Sequence, residues 1–457
     1  MITTNIPKIN TQVFAMENYK VSIVSLGCAK NRVDAEMMLY KLKAAGFILT
    51  DDPAKADVAI VNTCGFIESA KQESIDEIIE LGKLKEEGTI KHIVVTGCLA
   101  ERYKEMIATE LPEADAVIGL GANGDIAETV KAVLEGDKTL SFPDKALQPL
   151  DGKRIQSTPL HYAYLRVADG CDNCCTYCAI PLIRGHFRSR KMEDIIAEAK
   201  YLVEGGVKEL NVIAQDTTRY GEDIYGKLML PELLRELCKI EDLRWIRILY
   251  CYPDRITDEL IDTIASEEKI VKYIDLPLQH CNGRVLKAMN RKGDRESLTA
   301  LINKIRERIP SVVLRTTLIA GFPTETEEEF EDAAEFAKEI GFERLGCFAY
   351  STEEDTPAAE LPQVEDEERK FRASAIMEQQ QYIMENYNNS RVGQTIEVLC
   401  EGFDRYAECY FGRSYADAPE VDPNVFFIAE RKVQPGEFVK VTITDVLDCD
   451  LIGDLVE

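Results

Sequence analysis

From Tyr19 onward the chain alternates short apolar runs with longer amphipathic stretches. Residues 21–26 (VSIVSL), 58–63 (VAIVNT), 92–97 (HIVVTG) and 116–121 (AVIGLG) have the length and the Val/Ile content of strands. Between them, residues 31–46 place apolar side chains at helical spacing and stop at Gly46, and 69–88 and 99–110 repeat the helical pattern. Strand and helix in alternation predict a doubly wound parallel sheet.

A second alternating run begins near residue 162. It predicts strands over 163–168, 209–215, 245–251, 273–279, 312–320 and 345–351, with amphipathic helices over 192–206, 231–240, 256–266, 295–309 and 326–341. Six such units predict an open, partial TIM-like barrel. Residues 365–393 read as a long polar helix leading out of it. The remaining tail is rich in short alternating strands with Gly and Pro turns, the pattern of a small OB-like β-barrel. The fold class is therefore α/β multidomain. The expected divisions are a flexible leader at 1–17, an N-terminal domain at 18–140, a Pro/Gly-containing linker at 141–158, the barrel at 159–390 and the β-barrel tail at 391–457.

Composition narrows the classes. At 457 residues the chain is too long for one ordinary core. No apolar run reaches the eighteen or so residues of a membrane span, and the first twenty residues lack a signal-peptide pattern. Fourteen cysteines without an export signal point to a reducing cytoplasm, where thiols serve metals or catalysis. The net charge of −27 repels free nucleic acid and favours a basic partner. The tail from Arg391 carries six Lys and Arg against fourteen Asp and Glu, a net of −8, and Asp417, Glu420 and Asp422 near Arg413 are expected to repel phosphates and attract a Lys/Arg-rich protein.

Two groups of cysteines carry the chemistry. Cys171, Cys175 and Cys178 give C-x3-C-x2-C in a loop after the first barrel strand, at the edge where barrel active sites lie. Three thiolates on a cubane iron–sulfur cluster leave one iron open for a ligand. Cys174 adds a fourth thiol, so a zinc knuckle pairing Cys171 with Cys174 and Cys175 with Cys178 is the rival; zinc pairs are normally set further apart. Tyr177 offers an aromatic face beside the third cysteine. The other group is Cys28, Cys64 and Cys98, which follow the first three strands of the N-terminal domain at separations of 36 and 34 residues. In a parallel sheet these positions share the carboxyl edge, where ligand crevices form. The alternative is three buried core thiols. Arg184, Arg188 and Arg190 are open candidates either for a carboxylate ligand or for solvation of the loop. GFPTET (321–326) opens a helix whose N-terminus would suit an anion.

The C-x3-C-x-aromatic-C loop resembles the signature of the radical S-adenosylmethionine (SAM) enzymes. With the N-terminal triad and the β-rich tail, the whole ordered chain resembles the methylthiotransferases, whose tail is a TRAM domain. SLGCAKNRVDAE, VNTCGFIESAKQESIDEI, LIAQDTTRYG and GRSYADAPEVD resemble the RimO branch, which modifies an aspartate of small-subunit ribosomal protein S-twelve, rather than the branch acting on tRNA adenosine. The resemblance implies two 4Fe-4S clusters, an auxiliary one on Cys28, Cys64 and Cys98 and a radical SAM one on Cys171, Cys175 and Cys178. It implies SAM contacts at Tyr177, Gln215, Gln279, Gly321, Phe322, Pro323 and Thr324. It further implies cleavage of SAM to a 5′-deoxyadenosyl radical, hydrogen abstraction from the aspartate β-carbon and capture of a methylthio group. The implied partners are the ribosomal protein or the assembled small subunit, an electron donor such as flavodoxin or ferredoxin, and a sulfur donor. A cytoplasmic monomer without membrane or free tRNA binding is expected. A non-catalytic iron–sulfur scaffold is the remaining alternative class.

Overall fold

The computed structural model describes residues 19–456; the expected leader at 1–17 lies outside them. Among the described residues, seventeen of nineteen strands fall into three main sheets and the other two form a small ribbon. The first holds β1 (Lys20–Ser25), β2 (Ile48–Leu49), β3 (Val58–Thr63), β4 (His92–Gly97), β5 (Ala116–Ile118) and β6 (Thr139–Ser141) in the order β2-β1-β3-β4-β5-β6, with every pair parallel. Val58, Ala59, Ile60 and Val61 of β3 are all fully buried because helices cover both faces. Helices Ala29–Ala44 and Ile126–Leu134 pack on one side, and Glu68–Glu86 and Cys98–Tyr103 on the other. The chain direction across the sheet reverses between β1 and β3, which opens a crevice at their carboxyl ends.

The predicted linker crosses the joint between the two domains as a packed segment. It begins within β6, and Arg154 is buried, donating to Glu36 of the first helix at 2.7 Å and to the Tyr164 carbonyl at 2.6 Å.

The second domain holds β7 (Tyr162–Arg166), β10 (Glu209–Ile213), β11 (Trp245–Ile248), β12 (Ile270–Asp275), β13 (Val313–Ala320) and β14 (Arg344–Ala349), all parallel and in sequential order, as a partial (βα)6 barrel requires. Between β7 and β10, a two-residue strand β8 (Ala168–Asp169) pairs antiparallel with β9 (Arg188–Ser189). The helices cover the outer face, where Leu165, Val212, Ile248, Ile274 and Leu314 form the core. The long helix Asp366–Asn389 leads to a closed five-stranded barrel of β15 (Thr395–Asp404), β16 (Cys409–Arg413), β17 (Val425–Ile428), β18 (Phe438–Leu447) and β19 (Asp450–Val456).

The inner face of the partial barrel is polar and aromatic, and the loop between β16 and β17 closes it. Ala416 and Ala418 pack with Tyr162, Tyr164, Trp245 and Tyr273. This corrects the expected role of the loop acids. Asp417 is buried against Arg344 at 2.7 Å, and Asp422 accepts from the Tyr273 hydroxyl at 2.6 Å. Glu420 accepts from the hydroxyls of Tyr162 and Tyr164 and pairs with Arg32 at 2.8 Å. Barrel side chains therefore consume Asp417 and Asp422, which are not a free docking surface, while Glu420 stays exposed beside its partners.

Candidate functional site

The two cysteine triads arrive at one junction. Cys28, Cys64 and Cys98 follow β1, β3 and β4 at the carboxyl edge of the first sheet, beside its reversal point. Gly27, at φ +83°, lets the backbone lie against Cys64, whose sulfur would stand 2.8 Å from any added Cβ. Gly97, at φ +96°, turns β4 directly into the helix that begins at Cys98, and a side chain there would meet the backbone of Thr63. Asn31 donates to the carbonyls of Leu26, Asn62 and Thr63 and so ties the ends of β1 and β3 together.

The thiols of this triad sit in unlike fields. Burial pushes Cys98 up to about 12, although the Arg184 guanidinium beside it pulls the other way. Burial also raises Cys64. For Cys28, burial acts upward but Lys30 and Arg184 outweigh it, and the thiol is drawn below its ordinary value. Lys30 is buried and stands 3.0 Å from the ring centre of Tyr250, at the end of β11.

The second triad hangs on the neck formed by β8 and β9. Gly170 sits at φ +77°, where a Cβ would overlap the carbonyl oxygen of His186, so only glycine closes this neck. The loop is pinned further by Thr176, which donates from its backbone to the Met289 carbonyl at 3.1 Å and from its hydroxyl to the Ala288 carbonyl at 2.7 Å. Cys175 faces Arg291 at 3.8 Å and the Tyr252 hydroxyl at 3.9 Å. Burial raises Cys171 to about 11 and lifts Cys178 further. Cys174 is exposed, at φ +51°. Tyr177 packs on the barrel core and its hydroxyl accepts from Arg291 at 3.4 Å.

The other strand-end candidates ring the same edge. Gln215 donates to Asp169 at 2.8 Å, while its carbonyl oxygen is buried without a partner. Gln279 (φ +72°), Tyr250 (φ +61°) and Thr324 (φ +68°) are held in left-handed backbone at the ends of β12, β11 and β13. Such strain in non-glycine residues gathers where a surrounding structure enforces a function. Gly321 donates its N–H to Glu325 at 3.0 Å, and Glu325 is held in turn by Arg372 at 2.9 Å. Phe322 turns into the core, edge-on to Tyr350, and Pro323 is buried. The helix after this turn needs correction as an anion site. Thr326 and Glu329 close a capping box that takes up two of its amides, and Glu327, Glu328 and Glu329 make its first turn negative, which opposes an anion.

Of the three unranked arginines, Arg188 donates to the carbonyls of Ala146 and Gln148, and Arg190 to Asp151 and the Arg166 carbonyl. Arg184 alone reaches a cysteine, at 3.7 Å from Cys98. Sequence reasoning missed Arg291, Lys30 and Asp34, which carry no local motif. It named Arg184 without a signal that separates it from its neighbours.

Residues 20–119 match the model of Uncharacterized protein family UPF0004, residues 165–337 the Radical SAM superfamily, and residues 392–456 the TRAM domain. The chain is 50% identical over 436 residues to the Ribosomal protein uS12 methylthiotransferase RimO of Thermoanaerobacter sp. (strain X514), covering 95% of this chain and 99% of that one. The chain belongs to the RimO family. The relative of the same name from Clostridioides difficile (strain 630) is 50% identical over 438 residues, 95% of this chain and 98% of that one. As a RimO-family protein the chain is a radical SAM methylthiotransferase, and its cofactors are two 4Fe-4S clusters and SAM. Among solved structures, the radical SAM methyltransferase TsrM from Kitasatospora setae, with tryptophan substrate and a SAM analog bound, aligns at TM-score 0.53 and 14% identity over 74% of this chain and 75% of that one, a likeness of fold.

The residues present fit the RimO cofactors. Each triad offers three thiols, the additional cysteine of the barrel loop, Cys174, being exposed, and three thiolates leave one iron of a cubane open. Among the described residues, no three Cys, His, Asp or Glu side chains converge closely enough for a single metal ion. A cubane places each thiolate on a different iron and so asks for a wider triad. The Gln215 oxygen is unpartnered at this edge, whereas the Gln279 backbone pairs with Thr317 and Ile319 and the Thr324 N–H donates to the Pro362 carbonyl.

Proposed function

We propose that this protein attaches a methylthio group to the β-carbon of an aspartate in ribosomal protein uS12. The observation that supports it most is the meeting of two cysteine triads, from two separate parallel sheets, at facing carboxyl edges. In this reading Cys28, Cys64 and Cys98 hold the auxiliary cluster and Cys171, Cys175 and Cys178 the radical SAM cluster. When bound, the barrel cluster supplies an electron to SAM and the auxiliary cluster supplies the sulfur-bearing iron.

The chain's own residues set the arrangement. The β8–β9 neck and Thr176 fix the cysteine loop against the barrel. Gln215 and Gln279 offer side-chain amides to SAM, the Gly321–Thr324 turn borders it, and Tyr177 and Arg291 form a packed wall behind Cys175. Phe322 and Pro323 support that turn from the core side. The N-terminal domain covers the mouth through Arg102, which reaches Glu353 at 2.5 Å, and through Lys30 on Tyr250. In this reading the bond to be broken is a β C–H too weakly acidic for ordinary acid–base chemistry, which calls for a radical.

The net charge of −27 suits a basic ribosomal protein and opposes tRNA. No helix among the described residues is long and apolar enough to cross a membrane. We place the enzyme in the cytoplasm, as a monomer served by a flavodoxin- or ferredoxin-type reductant and a separate sulfur donor. The test is to incubate anaerobically reconstituted enzyme, SAM and reductant with uS12, with small subunits and with tRNA, and to read each by mass spectrometry. A methylthio group on a uS12 aspartate is expected. Modification of tRNA alone would overturn the substrate.

A further inference from the structure

Arg184 is the side chain that joins the two cysteine sites. It follows the radical SAM loop on the short helix Ile180–Arg184 and is 1% exposed. One of its nitrogens, Nη1, donates to both oxygens of Asp169, at the base of that loop, at 3.1 Å each. The other, Nη2, crosses into the N-terminal domain. There it donates to Asp34 at 2.9 Å and Asn31 at 3.3 Å, and lies 3.7 Å from the sulfur of Cys98. Ile183 and Ala179 pack with Cys98 and Leu120, so the helix itself seats against that cysteine. Asp34 is also paired with Arg166 of β7.

A guanidinium is planar and permanently charged, and two carboxylates from two domains fix its plane. It therefore presents a rigid N–H to one thiolate of the auxiliary triad. Hydrogen bonds to ligating sulfurs and local net charge are among the factors that set the potential of an iron–sulfur cluster. The adjacent carboxylates offset part of its charge.

We propose that Arg184 is a positioning and tuning residue for the auxiliary cluster: the barrel domain sets the reduction potential of the N-terminal domain's cluster through Arg184, and Asp169 moderates it. This rests on the assignment of Cys28, Cys64 and Cys98 to that cluster.

The test uses the full chain carrying Cys171→Ala, Cys175→Ala and Cys178→Ala, reconstituted anaerobically, so that one cluster gives the signal. Its midpoint potential is measured by electron paramagnetic resonance titration, with Arg184→Met, Arg184→Lys and Asp169→Asn added separately. Losing the cation should shift the midpoint negative. Arg184→Lys should restore part of the shift. Asp169→Asn, which removes an offsetting anion and keeps the arginine, should shift it positive. Opposite signs for the Arg184→Met and Asp169→Asn variants are the signature of tuning, since simple loosening would not produce them. Equal potentials in all forms, or shifts of the same sign, overturn the proposal. If the parent binds no iron at all, the cluster assignment itself fails. Should Arg184→Met fail to load iron, the Asp169→Asn shift alone decides: positive supports tuning, zero or negative rejects it.

Discussion

Asp417 and Arg344 meet at 2.7 Å with both side chains buried, one on the loop between β16 and β17 and the other on β14. The pair is one rivet in a seam. Arg413 reaches Glu209 at 2.7 Å and Glu401 at 2.8 Å, and Arg247 reaches Glu209 at 2.8 Å. The TRAM domain is thus built into the end of the barrel.

Breaking one partner of a buried pair leaves an uncompensated charge, which costs about 3–5 kcal/mol. Asp417→Lys should therefore lower stability by that order, with a fall in the urea midpoint. A variant that keeps its midpoint and merely slows association with uS12 would return Asp417 to the surface.

The seam should be sensitive to acid. Burial acts to raise Glu209, but Arg413 and Arg247 hold it below the usual carboxylate range. Burial likewise acts upward on Glu401, and His161 and Arg413 hold it down. A depressed folded value means that the stabilisation is complete above the unfolded value, about 4.3, and is lost as pH falls through the folded values. Trp245, the only tryptophan, lies edge-on to Phe438 of the TRAM domain at 4.8 Å and reports on the seam. Its emission should hold steady from neutral pH down to about 4.3 and change below. Opening near neutrality would contradict the pairing.

Gly170→Ala tests the neck of the radical SAM loop. The added methyl would overlap the His186 carbonyl at a backbone angle that favours glycine. Iron should fall from about eight to about four per chain, since each cubane holds four, while the N-terminal cluster stays. Full iron with intact SAM cleavage would show that the neck tolerates a side chain.

Much of the scaffold was legible in the chain. Runs such as Val58–Val61 are apolar throughout because helices cover both faces, and the cysteines follow their strands at the spacing of one βα unit. Residues whose meaning depends on a distant partner were not legible. Asp417 and Asp422 count as acidic tail in a charge tally, yet Arg344 and Tyr273 consume them. Arg184, Arg188 and Arg190 are alike in sequence, and only the packing of the helix Ile180–Arg184 on Cys98 separates them. The helix after GFPTET looked open to an anion until its capping box closed on itself.

The central claim is that the two triads do separate work on one reaction. The chain carrying Cys28→Ala, Cys64→Ala and Cys98→Ala keeps the barrel site whole. Incubated with SAM, reductant and uS12, it should still release 5′-deoxyadenosine while mass spectrometry finds no methylthiolated uS12. Methylthiolated product from that variant would make the N-terminal cysteines structural and contradict the account.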